Sequence, residues 1–337
     1  MSLMIERADG LMTVQDMGRP GHLSQGLPRG GAMDRLALIE AAALLGLAAP
    51  QAAVEMAGAG GVFAVSAPTR VALTGAPMRA TLDGAPAGWH RTHLLVPGRR
   101  LVIGGADAGV YGYLTPAGSI ESQPWLDSRS AHLTIGIGAA LTAGDRLPLG
   151  ADPSPDLPAR AIAVEDRFAG GTLRLCVGPQ TALFDPASRS AFAETPFRRA
   201  HRGNRQGVRL DADARFTTPH AAGLASDVIG PGDIQMTGDG VPYVLLAECQ
   251  TMGGYPRIGT VIADDLPRAA QAPPGAALRF RFLDEGASDA LYRNDADRLA
   301  DARRRCHDLI RDPKTMPDLL AYTLIGGVTR GDELDGG

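Results

Sequence analysis

Residues 62–103 read VFAVSAPTRVALTGAPMRATLDGAPAGWHRTHLLVPGRRLVI, and this stretch decides the fold class. Four short runs, 62–65, 70–74, 93–96 and 101–103, are dominated by Val, Leu, Ile and Thr, with Gly, Pro and Asp between them. Branched side chains suit a pleated, half-buried backbone, while Gly and Pro break it into turns. The pattern predicts short strands joined by tight connections. Upstream, Asp34 stands where a helix over 35–45 needs an N-cap, and Gly46 where it needs a left-handed C-cap. Leu36, Ile39, Ala43 and Leu44 approximate helical spacing, so this helix is expected to bury one face.

The same strand-and-turn text resumes beyond GADPSPDLP at 150–158, where Pro and Asp crowd out apolar periodicity as in a linker. Strands are expected near 172–177, 207–210, 233–236, 243–248 and 278–282, with a short helix at 180–184 or 186–194. Many short strands at this spacing argue for barrel or sandwich over a parallel βαβ sheet. Beyond 282, Tyr292, Ala296, Leu299, Ala302, Cys306 and Leu309 step by three or four, predicting an amphipathic helix over 288–310 that Asp312-Pro313 ends. A second helix is expected at 316–325. The chain thus divides into 4–150 with one helix, a second β unit at 158–285, and a helical tail at 286–330: mainly β with a few helices.

Composition narrows the function. Of 337 residues, 43 are Gly and 25 Pro, and the 45% hydrophobic and 21% charged shares exclude a disordered chain or a coiled coil. The 33 basic residues include one lysine, Lys314, so Schiff-base and P-loop lysine chemistry have almost nowhere to reside. A net charge of −4 with interspersed signs offers no field for nucleic acid. Cys176, Cys249 and Cys306 are odd in number and far apart, as in a reducing compartment. No apolar run approaches the roughly 18 residues of a membrane span, and the first residues lack a signal-peptide pattern. The expectation is a cytoplasmic protein that binds neither membrane nor nucleic acid.

Two clusters carry chemistry. In the first, Gln15, Asp16 and Arg19 precede a turn, and Gly30-Gly31 lead into the helix at Asp34 and Arg35. Amides at a helix start can hold a carboxylate, phosphate or developing oxyanion, with Arg19, Arg29 or Arg35 adding bidentate contacts. The same residues also fit a capped helix after a tight loop, with Asp16 and Arg19 as a structural ion pair. In the second, a strand runs into Glu248-Cys249-Gln250-Thr251-Met252-Gly253-Gly254-Tyr255-Pro256-Arg257. Gln250, Thr251 and Tyr255 supply neutral donors and acceptors, Arg257 a fixed charge, and Gly253-Gly254 a backbone that a ligand can approach. A wide bulge with a structural tyrosine is the alternative. Asp16, Asp34, Glu55 and Glu248 are candidate bases, and Cys249 a conceivable thiolate. His90 and His93, three apart in a strand reading, fall on opposite faces and suggest no metal site.

The blocks TVQDMGRPG (13–21), GGAMDRLAL (30–38), Val54-Glu55-Met56 and QTMGGYPRIGTVIADDLP (250–267) resemble the allophanate hydrolase subunit 2 family, or biotin-dependent carboxyltransferase A/B family, which contains KipA proteins and the C subunit of 5-oxoprolinase. The resemblance runs from about residue 10 to 282. It implies cyclophilin-like β-barrel subdomains in both β units. It also implies work beside two partners, one KipI-like and one LamB/YcsF-like, opening 5-oxoproline to glutamate with ATP hydrolysis. On that reading this chain binds no cofactor alone, and the complex uses ATP. An alternative is one half of a carboxyltransferase that moves CO2 from carboxybiotin to urea or a related amide; another is a KipA-type regulator that binds a KipI-like inhibitor. For a small amide or lactam, Asp34 or Glu55 would orient or deprotonate nitrogen, and Tyr255 and Arg257 would stabilise the oxygen. Gln15, Arg19, Gly30, Gly31, Arg35, Gln250, Thr251, Gly253 and Gly254 would bind it. Two departures from the family text stand out: Glu248-Cys249 replaces an Asp-Arg pair, and Arg202 to Leu210 lacks the usual aspartate and tyrosine. The tail is also longer than in short members.

Overall fold

The computed structural model describes residues 1–221 and 223–309. Its N-terminal half is two facing sheets. The first has six strands in the order Arg146–Pro148, Ser2–Ala8, Gly61–Val65, Leu101–Ala106, Met78–Leu82 and Ala85–Pro86. The second has seven, in the order Leu11–Gln15, Ala53–Ala57, Tyr111–Pro116, Thr69–Gly75, Arg91–Leu95, Arg160–Ile162 and Cys306–Asp308. Leu3, Ile5, Phe63 and Leu101 of one meet Val54, Met56, Val71 and Leu73 of the other in a shared core. Alternation along Thr69–Gly75 serves two layers. Val71 and Leu73 face the other sheet, while Ala72 packs with the helix Arg35–Leu45 and Thr74 Oγ1 donates to the Ala37 carbonyl at 2.9 Å.

That helix starts and stops as its sequence requires: Asp34 Oδ1 accepts from Ala37 N–H at 3.2 Å, and Gly46 turns the chain at φ +72°. The expectation of one buried face is corrected, because every residue from Ala37 to Leu45 is buried. The seven-stranded sheet, the helix Asp295–Arg305 and the barrel core enclose it.

The second β unit is a closed barrel: Gly171–Cys176, Arg257–Val261, Asp233–Met236, Pro242–Leu245, Gly207–Asp211, Phe197–Gly203 and Ala277–Leu283, whose last strand returns parallel to the first. Strict alternation builds it. Leu173 and Leu175, Val208 and Leu210, Leu278 and Phe280 point inward, and Arg209, Arg279 and Arg281 point out. Phe192, from the helix Pro186–Glu194, completes this core with ring centroids 4.9 Å from Phe197 and 5.0 Å from Phe280.

The mainly β class with few helices holds, while three local expectations change. The N-terminal half is two facing sheets, and the closed barrel is the second β unit. Its seven-stranded sheet also recruits Arg160–Ile162 and Cys306–Asp308 from beyond residue 150. The helix expected over 288–310 is two, Glu285–Ala290 and Asp295–Arg305, because Asn294 Oδ1 caps Asp297 N–H at 2.9 Å and restarts the helix. Tyr292 accordingly stands 78% exposed instead of on an apolar face. The helix expected at 316–325 lies outside the described residues. Among the described residues no helix is long and apolar enough to cross a membrane.

Candidate functional site

The two sequence clusters converge on one buried guanidinium. Arg205, in the turn between Phe197–Gly203 and Gly207–Asp211, points inward. Its Nε donates to Glu248 Oε1 at 2.5 Å, its Nη2 to the Gly31 carbonyl at 2.5 Å, and its Nη1 to Glu55 Oε1. The other Glu55 oxygen accepts from Met33 N–H at 2.8 Å and from the Tyr113 hydroxyl at 2.7 Å. Glu248 Oε2 lies 3.6 Å from His132 Nδ1, an atom with no hydrogen-bond partner. Burial raises the Glu55 carboxyl above its usual range, with Arg205, Met33 N–H and Tyr113 opposing. Burial also works against the Arg205 charge, but Glu55 and Glu248 outweigh it and make the guanidinium more basic than usual. Burial holds the His132 imidazole below its usual pKa, aided by Arg19 and Arg205 and opposed by Glu248.

The helix start is spoken for. Met33 N–H goes to Glu55, Asp34 N–H to the Tyr113 oxygen at 2.8 Å and Gly30 N–H to the Ala247 carbonyl at 3.1 Å, so these amides are not the open anion cradle expected from the sequence. Asp34 itself is fully buried: Oδ2 accepts from Arg167 Nε at 2.7 Å and Gln271 Nε2 at 2.9 Å. It acts as cap and counter-charge, out of reach of a substrate nitrogen. Arg19 is also fully buried; its Nη2 donates to the Ser130 carbonyl and its Nη1 has no partner. Asp16 is bonded by the hydroxyls of Ser128 and Ser130 and by the amides of Arg129 and Gly18 instead of pairing with Arg19. Gln15, buried, donates to Thr13 Oγ1 at 3.0 Å and the Ala131 carbonyl at 3.1 Å. Gly31 adopts φ +88°, and an added Cβ would lie 2.7 Å from Gly18 N, so the close approach here is chain to chain.

Two clefts flank this network. The outer one, about 680 Å³, lies on the barrel's outside beside the inner Arg205, whose neighbours Asn204 and Gln206 line it. Gln250, Tyr255, Tyr243 and Gln235 complete its polar wall, and among the described residues no carboxylate lines it. Thr251 is buried, its carbonyl accepting from Ile229 N–H at 3.0 Å. Gly253 sits in a short ribbon, Asp227–Val228 with Met252–Gly253, and Gly254 follows it. Arg257, expected to stabilise an oxyanion, instead anchors that ribbon. It pairs with Asp227, donates to the Val228 carbonyl at 2.5 Å and lies 3.2 Å from Asp233 Oδ2. Two carboxylates already neutralise its charge.

The inner cleft, about 530 Å³, separates the helix start from the barrel and from Asp295–Arg305. Met33, Leu36, Leu246, Val261 and Leu266 make it apolar, and Arg29, Gly30, Arg35 and Arg298 rim it with one carboxylate, Asp295. Arg35 donates to Asp295 at 2.8 Å. Burial, and then the like charge of Arg29, lowers its basicity.

The structure therefore joins Glu55 to Glu248, gathers Gln250 and Tyr255 in one cleft and Gly30 and Arg35 in the other, and buries Gln15, Arg19, Asp34 and Thr251. Cys249 is 1% exposed, and burial pushes its thiol up to about 12, which removes it as a thiolate nucleophile. His90 precedes its strand, at φ +55°; its Nε2 lies 2.9 Å from the Gly75 carbonyl, and His93 Nε2 lies 2.7 Å from that of Gly88. Arg205, Tyr113, His132, Arg167 and Gln235 escaped sequence reasoning as site residues. The one available signal was the stretch Arg202 to Leu210, where the text departs from the family pattern.

Comparison with known proteins agrees with this architecture. A family model described as "Carboxyltransferase domain, subdomain A and B" matches residues 25–282. The 5-oxoprolinase C subunit of Escherichia coli is 34% identical over 82% of this chain and 90% of its own length. That of Haemophilus influenzae is 28% identical over 87% and 94%. Among solved structures, TTHA0988 superposes with a TM-score of 0.75 at 33% identity, covering 83% of this chain and 55% of that one. The urea amidolyase of K. lactis gives 0.81 at 22% identity over 89% of this chain and 20% of its own, a likeness of fold. This chain thus corresponds to about half of one solved relative and a fifth of the other, and it belongs to the carboxyltransferase domain, subdomain A and B, family.

Proposed function

We propose that this chain is the C subunit of a cytoplasmic 5-oxoprolinase-type complex, which opens 5-oxoproline to glutamate with ATP hydrolysis beside a KipI-like partner and a LamB/YcsF-like partner. The observation that carries the reading is the 34% identity to a 5-oxoprolinase C subunit over 82% of this chain and 90% of that one. The outer cleft supports it chemically. Neutral donors on Gln250 and Tyr255 suit a planar amide whose oxygen gains charge, and the absence of a lining carboxylate suits an anion. Glu55, Arg205 and Glu248 are the rigid support behind that wall. On this reading the ATP phosphates fall to the partner proteins, and this chain binds no cofactor alone.

Carboxyl transfer from carboxybiotin to urea is the second reading. One feature favours it: the apolar inner cleft, rimmed by Arg29 and Arg35, suits a carboxylated ring. The deciding experiment reconstitutes the chain with its KipI-like and LamB/YcsF-like neighbours. ATP-dependent release of glutamate from 5-oxoproline, lost when any one of the three proteins is omitted, is the expected result. Biotin-dependent carboxylation of urea without that release overturns the leading reading.

A further inference from the structure

Gln235 is the unexplained group of the outer cleft. It sits on Asp233–Met236, facing out of the barrel, in register with Tyr243 and through it with Arg209. It is 8% exposed, and its side-chain nitrogen is buried with no hydrogen-bond partner. Buried amides are nearly always bonded, so one left unpaired beneath the edge of a cleft points to a partner from outside that it meets by turning toward the cleft. The ribbon above it is built to leave it room: an added Cβ at Gly253 would lie 2.6 Å from Gln235 Nε2. Glycine at this position therefore leaves room for the glutamine.

The rest of the cleft defines the ligand. Arg202 lines it and forms no ion pair among the described residues, whereas Arg209 on the same wall pairs with Asp211 at 2.9 Å. Among the described residues, a guanidinium without an ion pair and a lining without carboxylates select an anion. A primary amide has a donor and an acceptor on one edge, and the soft terminal torsion of glutamine lets that edge turn to the cleft. A lactam is a cis amide, which shows its N–H and C=O side by side and so matches that edge. An opened chain loses this face.

We propose that Gln235 reads the amide of a cyclic, anionic lactam in the outer cleft and that Arg202 takes its carboxylate, making this pair the specificity determinant against neutral urea. This rests on the reading of the cleft as the amide-holding site. The test titrates the full chain, alone and assembled with its two partner proteins without ATP, against 5-oxoproline, N-methyl-5-oxoproline and 2-pyrrolidone by calorimetry. Gln235→Leu is expected to weaken 5-oxoproline by about tenfold, the worth of one buried hydrogen bond, and to leave the N-methyl lactam nearly unchanged, because its methyl group keeps it from docking edge to edge with Gln235 even in the wild type. Arg202→Ala is expected to weaken 5-oxoproline and leave 2-pyrrolidone unchanged. Equal losses for both lactams mean a structural glutamine and overturn the proposal, as do unchanged affinities or no binding by the wild type. Glutamate release, measured separately, keeps the two readings apart. Release that Gln235→Leu does not impair leaves the enzyme assignment standing without this determinant. Lactam binding of the expected pattern in a complex that releases no glutamate removes the enzyme assignment and retains the determinant.

Discussion

At the scale of single residues, Arg205 decides whether the centre holds together. It neutralises two buried carboxylates, and its removal leaves both unpaired. Arg205→Ala is expected to cost about 3–5 kcal/mol in denaturant unfolding, and Arg205→Lys to recover only part, because an ammonium lacks the planar fork that reaches Glu55, Glu248 and the Gly31 carbonyl together. Asp16 gives a pH signature. Burial raises its pKa, but hydrogen bonds from Ser130, Ser128, Arg129 and Gly18 outweigh this and hold it below the usual value. A lowered folded pKa means stability that is present above the unfolded value, about 3.9, and lost as pH falls through the folded one. Asp16→Asn should therefore cost about 1–3 kcal/mol at neutral pH, with the difference from wild type shrinking below about pH 4 in pH-resolved melts. Both clusters were legible in the sequence because each is contiguous. Arg205 was not, since it meets Glu55 across 150 positions and nothing in local spacing records that contact.

At the scale of elements, sequence patterning performed well where one rule acted alone. Asp233–Met236 falls where a strand was expected, and Pro186–Glu194 at one of the two positions offered for a short helix. Asp34 and Gly46 bound their helix as capping chemistry demands. The tail misled because two signals competed there: the apolar step of three or four continues through 292–296, while Asn294, beyond the end of the first helix at Ala290, offers a cap that starts the next. That cap is testable. Asn294→Ala should cost about 0.5–2 kcal/mol, and hydrogen exchange should rise first at Asp297 N–H, the amide it bonds. Leu299 and Ala302 remain packed against Arg35–Leu45, so the helix should fray at its start and not detach; uniform loss of protection along Asp295–Arg305 would refute the cap as its nucleus.

At the scale of the whole molecule, the two β halves are joined by buried polar side chains as well as apolar contact. Gln271, closing the barrel's helix Leu266–Gln271, reaches into the sandwich. Its Oε1 accepts from Val110 N–H at 2.9 Å and Tyr111 N–H at 2.8 Å, and its Nε2 donates to the Tyr111 carbonyl at 2.8 Å and to Asp34 Oδ2 at 2.9 Å. Arg167 binds the same Asp34 oxygen and both oxygens of Glu40, and Arg205 ties the barrel turn to Glu55 and Gly31. Strand alternation reveals that a side chain is buried but not which surface buries it, so this junction could not be read from the sequence. It also explains why Asp34, promising as a base by position, is occupied as a joint. Gln271→Leu keeps most of the volume but strands two amides, Val110 and Tyr111 N–H, each costing about 1–3 kcal/mol if unpaired, while the Tyr111 carbonyl keeps Ala76 N–H at 2.9 Å. The expected result is faster hydrogen exchange at Val110, Tyr111 and the helix start, while Leu173, Leu175 and Ile258 in the barrel stay protected. Equal acceleration in the barrel strands would mean that Gln271 supports the barrel itself and does not latch the two halves.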